Sequence, residues 1–216
     1  MTFARLQTTA TRPEGDDLVP ELTAMISGHP GFAGLLLLEG EERAGALLTL
    51  WQTFPDAEKA SERSRADGGQ PPVTITSDEI YEVDDDEAAV AAGRPVGAAL
   101  LGVFDGPLSA ERETLARRRG RESIGPVVRQ VPGMVRTLVL WHPGKRGFVI
   151  VHLAESAAVL DAVGAAVRSV PLRDGDDPAL LTGPDRVSVH RVVAYEPVAG
   201  QVLALRGRRV PDLWSR

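Results

Sequence analysis

Two stretches of the chain carry the same succession of apolar and polar segments. Residues 29–60 and 131–162 superpose with a constant offset of 102 and no gap, sharing Pro30/Pro132, Gly31/Gly133, Leu36/Leu138, Leu38/Leu140, Gly45/Gly147 and Ala60/Ala162. Each reads Pro-Gly, an apolar run, a polar turn, a second apolar run and an alanine-rich amphipathic segment. That order predicts strand, hairpin, strand and helix in both copies.

The flanking patterns extend each copy to β-α-β-β-α-β. In the first, residues 3–10 alternate as a strand, broken at 11–15, and Asp16 or Asp17 is placed to cap a helix whose Leu18, Leu22, Met25 and Ile26 form one stripe. Gly28 and Pro30 stop that helix. Residues 32–38 predict a strand buried on both faces, 39–42 its turn and 44–51 the returning strand. Pro55 opens a second helix that residues 66–72 end, and 73–83 alternate as a final strand. In the second copy the strands are 96–104, 134–140, 147–153 and 186–196, and the helices 109–130 and 156–170. Tyr195-Glu196 falls where Tyr81-Glu82 fell.

The resulting expectation is an α+β protein. Its parts are a ferredoxin-like domain at 1–84, a linker at 85–95, a second ferredoxin-like domain at 96–198 and a tail at 199–216. The linker begins within the acidic run Asp84-Asp85-Asp86-Glu87, and the expected role of that run is a solvated connection. Two helices on one face of each sheet leave the other face bare. Two such units in one chain can cover those faces by packing sheet to sheet into a single barrel, with a cavity between them.

Composition narrows the chemistry. Cysteine is absent, which excludes disulfides, thiolate nucleophiles and thiolate metal sites. A net charge of −6 argues against a nucleic-acid platform, and the arginine run Arg117-Arg118-Arg119 with Arg121 reads as a solvated helix face. No apolar run approaches the roughly 20 residues that span a bilayer, and no signal-peptide pattern opens the chain, so the expected location is cytoplasmic. No phosphate-cradling glycine loop and no Gly-x-Ser-x-Gly elbow occurs, which sets aside nucleotide binding and serine hydrolysis.

The segment Leu47-Leu48-Thr49-Leu50-Trp51-Gln52-Thr53 leading to Asp56-Ala57, with the closing Ile80-Tyr81-Glu82-Val83, resembles an antibiotic biosynthesis monooxygenase (ABM) domain of the dimeric α/β-barrel superfamily. The second half resembles it more faintly, with Leu153 where the first has Trp51. The resemblance covers most of residues 1–198 and implies the fold more specifically than the reaction. Relatives include cofactor-independent monooxygenases acting on aromatic polyketides, haem-degrading enzymes, isomerases and proteins without known activity. The haem-degrading pattern places a second tryptophan and a haem-ligating histidine where this chain has Lys59 and Gly69, and in the second half Asp161 and Pro171, so no haem or other cofactor is expected.

The candidate residues follow from strand faces. His152 shares a face with Phe148 and Ile150, and His190 shares one with Ser188 and Val192. The first half has Leu50 and Thr76 at the places taken as corresponding, which makes any histidine chemistry asymmetric. Facing a cavity, either imidazole titrates close enough to neutral pH to act as general base on a phenol or an enolisable carbon. His152 and His190 are therefore the candidate catalytic residues, with Trp51, Phe148 and Ser188 as candidate substrate contacts and no metal site. The expected ligand is a small apolar or aromatic molecule. Two further readings stay open, a non-catalytic ligand-binding or assembly barrel and an isomerase or cyclase, as does pairing of chains into a homo-oligomer.

Overall fold

The computed structural model describes residues 1–10, 18–40, 44–66 and 75–197. The expected break at 11–15, the cap at Asp16 or Asp17, residues 41–42 of the turn, residues 67–72 of the second break, the start of the fourth strand at 73–74 and the tail lie outside the described residues. The first half comprises β1 (Phe3–Thr9), α1 (Leu18–Ser27), β2 (Phe32–Glu39), β3 (Gly45–Trp51), α2 (Phe54–Ala66) and β4 (Ile75–Ala88). The second comprises β5 (Ala98–Phe104), α3 (Ala110–Arg119), α4 (Gly125–Arg129), β6 (Met134–His142), β7 (Gly147–Ala154), α5 (Ala157–Ser169) and β8 (Arg186–Pro197). A π turn at Gly120–Ile124 joins α3 to α4, so the helix expected over 109–130 is one span with a widened middle.

Each half orders its strands alike, β4-β1-β3-β2 and β8-β5-β7-β6, and the edges join as β2 with β8 and β4 with β6. All eight pairings are antiparallel, and among the described residues the barrel leaves no strand edge unpaired. The interior is packed by Leu36, Leu38, Leu48 and Leu50 of the first half against Leu101, Leu138, Leu140, Val149, Val151 and Leu153 of the second. Outside the barrel, Trp51, Leu35 and Leu37 pack with Ile26 of α1 and with Ala57 and Ala60 of α2. Val128, Met134, Leu160 and Val163 do the same in the second half. The unbroken Leu35–Leu38 run follows from this, because alternate leucines serve the interior and the helix layer.

Pairing corrects the repeat in one place. The offset of 102 holds in β2 and β6, where Leu36/Leu138 and Leu38/Leu140 all face inward. In the returning strands Leu38 pairs with Ala46, but Leu140 pairs with Val149, 103 positions further on. Five residues (40–44) separate Glu39 from its partner Gly45, whereas six (142–147) separate Trp141 from Phe148. A one-residue slip in a strand moves every side chain to the other face. Trp51 therefore corresponds to Ala154 rather than Leu153, and His152 to Thr49 rather than Leu50.

The acidic run is likewise corrected. Strand β4 continues through it to Ala88, and Asp85, Asp86 and Glu87 pair with Val139, Leu138 and Thr137 of β6. Residues 84–88 are a seam between the halves, and their carboxylates meet arginines: Asp84 meets Arg117 and Arg121, Asp86 meets Arg136, and Glu87 meets Arg129.

Candidate functional site

The alternation of β8 points Ser188, His190 and Val192 to the barrel side, since their partners Leu101, Ala99 and Leu38 all belong to the interior core. Burial decreases along β8 towards its start, so Val192 is packed, His190 half-buried and Ser188 exposed at the mouth. Ser188 Oγ lies 2.8 Å from His190 Nε2. The other ring nitrogen, Nδ1, is buried without a hydrogen-bond partner among the described residues. Burial lowers the pKa of His190, so the neutral imidazole is the form held at neutral pH. Gly40 makes room for the ring: a Cβ there would stand 2.8 Å from Nδ1.

Ala4 of β1 pairs with Tyr81, as the corresponding Ala99 of β5 pairs with His190. Tyr81 is thus the first-half counterpart of His190, in place of Thr76. By the same registers the counterpart of Tyr195 is Asp86, because Asp86 faces Leu138 as Tyr195 faces Leu36. Tyr81 lies in the same mouth, its ring edge-on to His142 at 5.3 Å. Burial and then the Glu79 carboxylate push its pKa up to about 12, so the hydroxyl stays protonated. Glu79 also takes Lys145 as an ion-pair partner, with His142 Nε2 at 3.5 Å, and Arg186 pairs with Asp105 at 2.5 Å. Polar groups from both halves thus gather at the same end of the barrel as Ser188 and His190.

The remaining candidates sit elsewhere. His152 lies beside Leu100, on the helix-facing side of β7, and its Nδ1 is 3.1 Å from Thr137 Oγ1. It is 9% exposed, and burial pushes its pKa down to about 4. His152 therefore does not share the interior side with His190, because Val151 and Leu153 hold the inward face of β7. Trp51, 1% exposed, is also outward; its Nε1 donates to Thr49 Oγ1 at 2.9 Å and its ring meets Phe32 edge-on at 5.9 Å. Phe148 shares the His152 face and stacks on Phe104 with centroids 4.0 Å apart. Of the five sequence candidates, the structure brings only Ser188 and His190 together at the mouth.

The opposite end of the interior holds a buried ion pair. Arg136 donates through Nε and Nη2 to Asp86 at 2.7 and 2.6 Å and through Nη1 to the Tyr195 hydroxyl at 3.1 Å. Beside it the interior leaves a void of about 10 Å³, lined by Leu36, Leu48, Leu50, Leu138 and Leu153 among others. That is about the smallest space a single water requires. An eight-stranded barrel is just wide enough either to be filled by side chains or to hold one small ligand, and this one is filled. A more open groove of about 460 Å³ lies outside the barrel, bordered by Glu111, Thr114, Arg118 and Asp177. Among the described residues no group of three or more His, Asp or Glu is placed to hold a metal, and no helix is long and apolar enough to cross a membrane.

Glu79, His142, Lys145, Asp105, Arg186 and Arg136 carry no functional signature in the sequence, where Asp86 reads only as part of a solvated run. The available signal was Tyr81, already part of the family-like motif, since its neighbours at i−2 and across the barrel complete the mouth.

Fold and topology define a closed α/β barrel made of two fused ferredoxin-like halves. Solved structures share it along nearly their whole length. An anthrone oxidase-like protein matches with a TM-score of 0.58 and 16% identity, over 94% of this chain and 97% of its own. A protein of Fusobacterium nucleatum subsp. nucleatum put forward as a monooxygenase matches with a TM-score of 0.63 and 10% identity, over 92% and 95%. A monooxygenase-like protein of Listeria innocua matches with a TM-score of 0.50 and 10% identity, over 88% and 94%. At these identities the likeness establishes the fold. Comparison with protein-family models and with curated proteins finds no match.

Proposed function

We propose that the protein binds a small aromatic or apolar molecule at the polar mouth of the barrel and oxidises it with dioxygen without a cofactor. The observation that carries this reading is His190: a half-buried, neutral imidazole with one nitrogen unpartnered among the described residues and the other on an exposed serine hydroxyl. Buried polar atoms left unpaired are rare enough to ask for a function. In this reading a proton leaves the activated carbon of an anthrone-type phenol for Ser188 Oγ as the Ser188 proton passes to His190 Nε2. The carbanion reduces dioxygen by one electron, and the two radicals combine as a peroxide anion, which takes the proton back from His190 through Ser188 to become the hydroperoxide. Loss of water leaves the ketone, so one dioxygen is consumed and one water released per carbon oxidised. The likeness to an anthrone oxidase-like protein supports this choice of substrate.

Oxygen uptake by the purified protein with a panel of anthrone-type phenols tests the reading. Removing a general base slows such a step by about 10²–10⁴, so His190→Asn should lose at least about a hundredfold in rate. Uptake undiminished in that variant would remove His190 from the chemistry. The filled interior favours a second reading, a non-catalytic barrel that serves as a binding or assembly module. No uptake above background with any phenol of the panel would favour it.

A further inference from the structure

We propose that the two seams closing the barrel differ in strength by chemistry, and that the barrel opens first along β4 and β6 while β2 and β8 stay joined. The seams are counterparts. Each carries a one-residue bulge at the same position, Asp84 in β4 and Val193 in β8. Val193 packs into the apolar layer under α1 with Ile26, Leu35 and Leu37. Asp84 accepts instead from Arg117 at 2.5 Å and Arg121 at 3.2 Å, on the helical span that corresponds to α1. The α1 sequence, LVPELTAMIS, holds no arginine or lysine. Further along, Glu87 pairs with Arg129 and Asp86 with Arg136, whereas the counterpart of Asp86 is the uncharged Tyr195.

On the outer side one seam is therefore held by ion pairs and the other by buried apolar contacts, with Glu39 and Arg191 as the ion pair at its end, while the interior leucines serve both alike. The outer pairs of the ionic seam keep between 21% and 54% of each side chain exposed, so dissolved ions reach them. At about 1 M salt the screening length falls to about 3 Å, and pairs of this kind weaken, whereas apolar burial does not depend on charge. Opening at the ionic seam uncovers Arg136 and the interior leucines.

Hydrogen exchange read by mass spectrometry on the full chain tests this. Raising sodium chloride from about 0.05 M to about 1 M should speed amide exchange in 84–88 and 136–141 about tenfold, and in 34–39 and 191–197 less than about twofold. Asp84→Asn with Glu87→Gln should reproduce the pattern at low salt, and Leu37→Ala should shift the loosening to β2 and β8. Equal acceleration at both seams, or none at either, overturns the proposal. If the charge-neutralised variant does not fold, the wild-type salt comparison decides alone.

Discussion

Replacing Arg136 by methionine should destabilise the protein by about 3–5 kcal/mol, because it strands the Asp86 carboxylate inside the barrel. The Arg136 side chain is 14% exposed and that of Asp86 10%, so water replaces the lost bonds only in part. Burial alone works to lower the pKa of Arg136, but the bonds to Asp86 and Tyr195 outweigh it and the group remains charged. A buried pair is costly to break and cheap to replace as a whole. The double variant Arg136→Met with Asp86→Leu should therefore bring the urea midpoint back near the wild-type value. A single variant as stable as the double would show that no buried charge is being compensated there.

Acid should weaken the fold through His152, with a sign set by its environment. In the unfolded chain the imidazole takes a proton below about pH 6.5, whereas in the folded state burial delays this to about pH 4. The unfolded state therefore binds more protons between those values. The contribution of the neutral, buried His152 is complete above about pH 6.5, declines as pH falls, and stops changing below about pH 4. The difference is worth roughly 3 kcal/mol. Urea unfolding of wild type and His152→Gln at pH 7, 5.5 and 4.5 isolates it, since His190 and the carboxylates titrate in both proteins. The wild type should lose its margin over the variant across that interval. A constant difference would mean that the folded protein accepts the proton as readily as the unfolded chain.

Architecture was legible in the sequence because it rests on periodicity. The paired Pro-Gly signals, the apolar runs and the β-α-β-β-α-β order all reappear, and the bare faces of the two sheets do cover one another. What failed was register. The second hairpin carries one extra residue, invisible in an ungapped comparison, and that single position aligned His152 with the inward Leu50 instead of the outward Thr49, and Trp51 with the inward Leu153 instead of the outward Ala154. The acidic run was misread for a different reason. Its compensating charges, Arg117, Arg121, Arg129 and Arg136, come from elements of the other half, so no local pattern distinguishes a solvated run from a paired one. The pairing of Ser188 and His190 was legible, since both lie two apart on one strand. The polar groups around them converge only when the barrel closes.

The barrel interior is already full, and the proposed chemistry is confined to one mouth. A crystal structure of the protein with a bound anthrone-type phenol tests this most directly. The expected density lies against Ser188 and His190, at the end of the barrel that carries Tyr81, Glu79 and Arg186, with Leu36, Leu48, Leu138 and Leu153 unmoved. A ligand lodged among those four leucines, on the far side of a rearranged core, would contradict it.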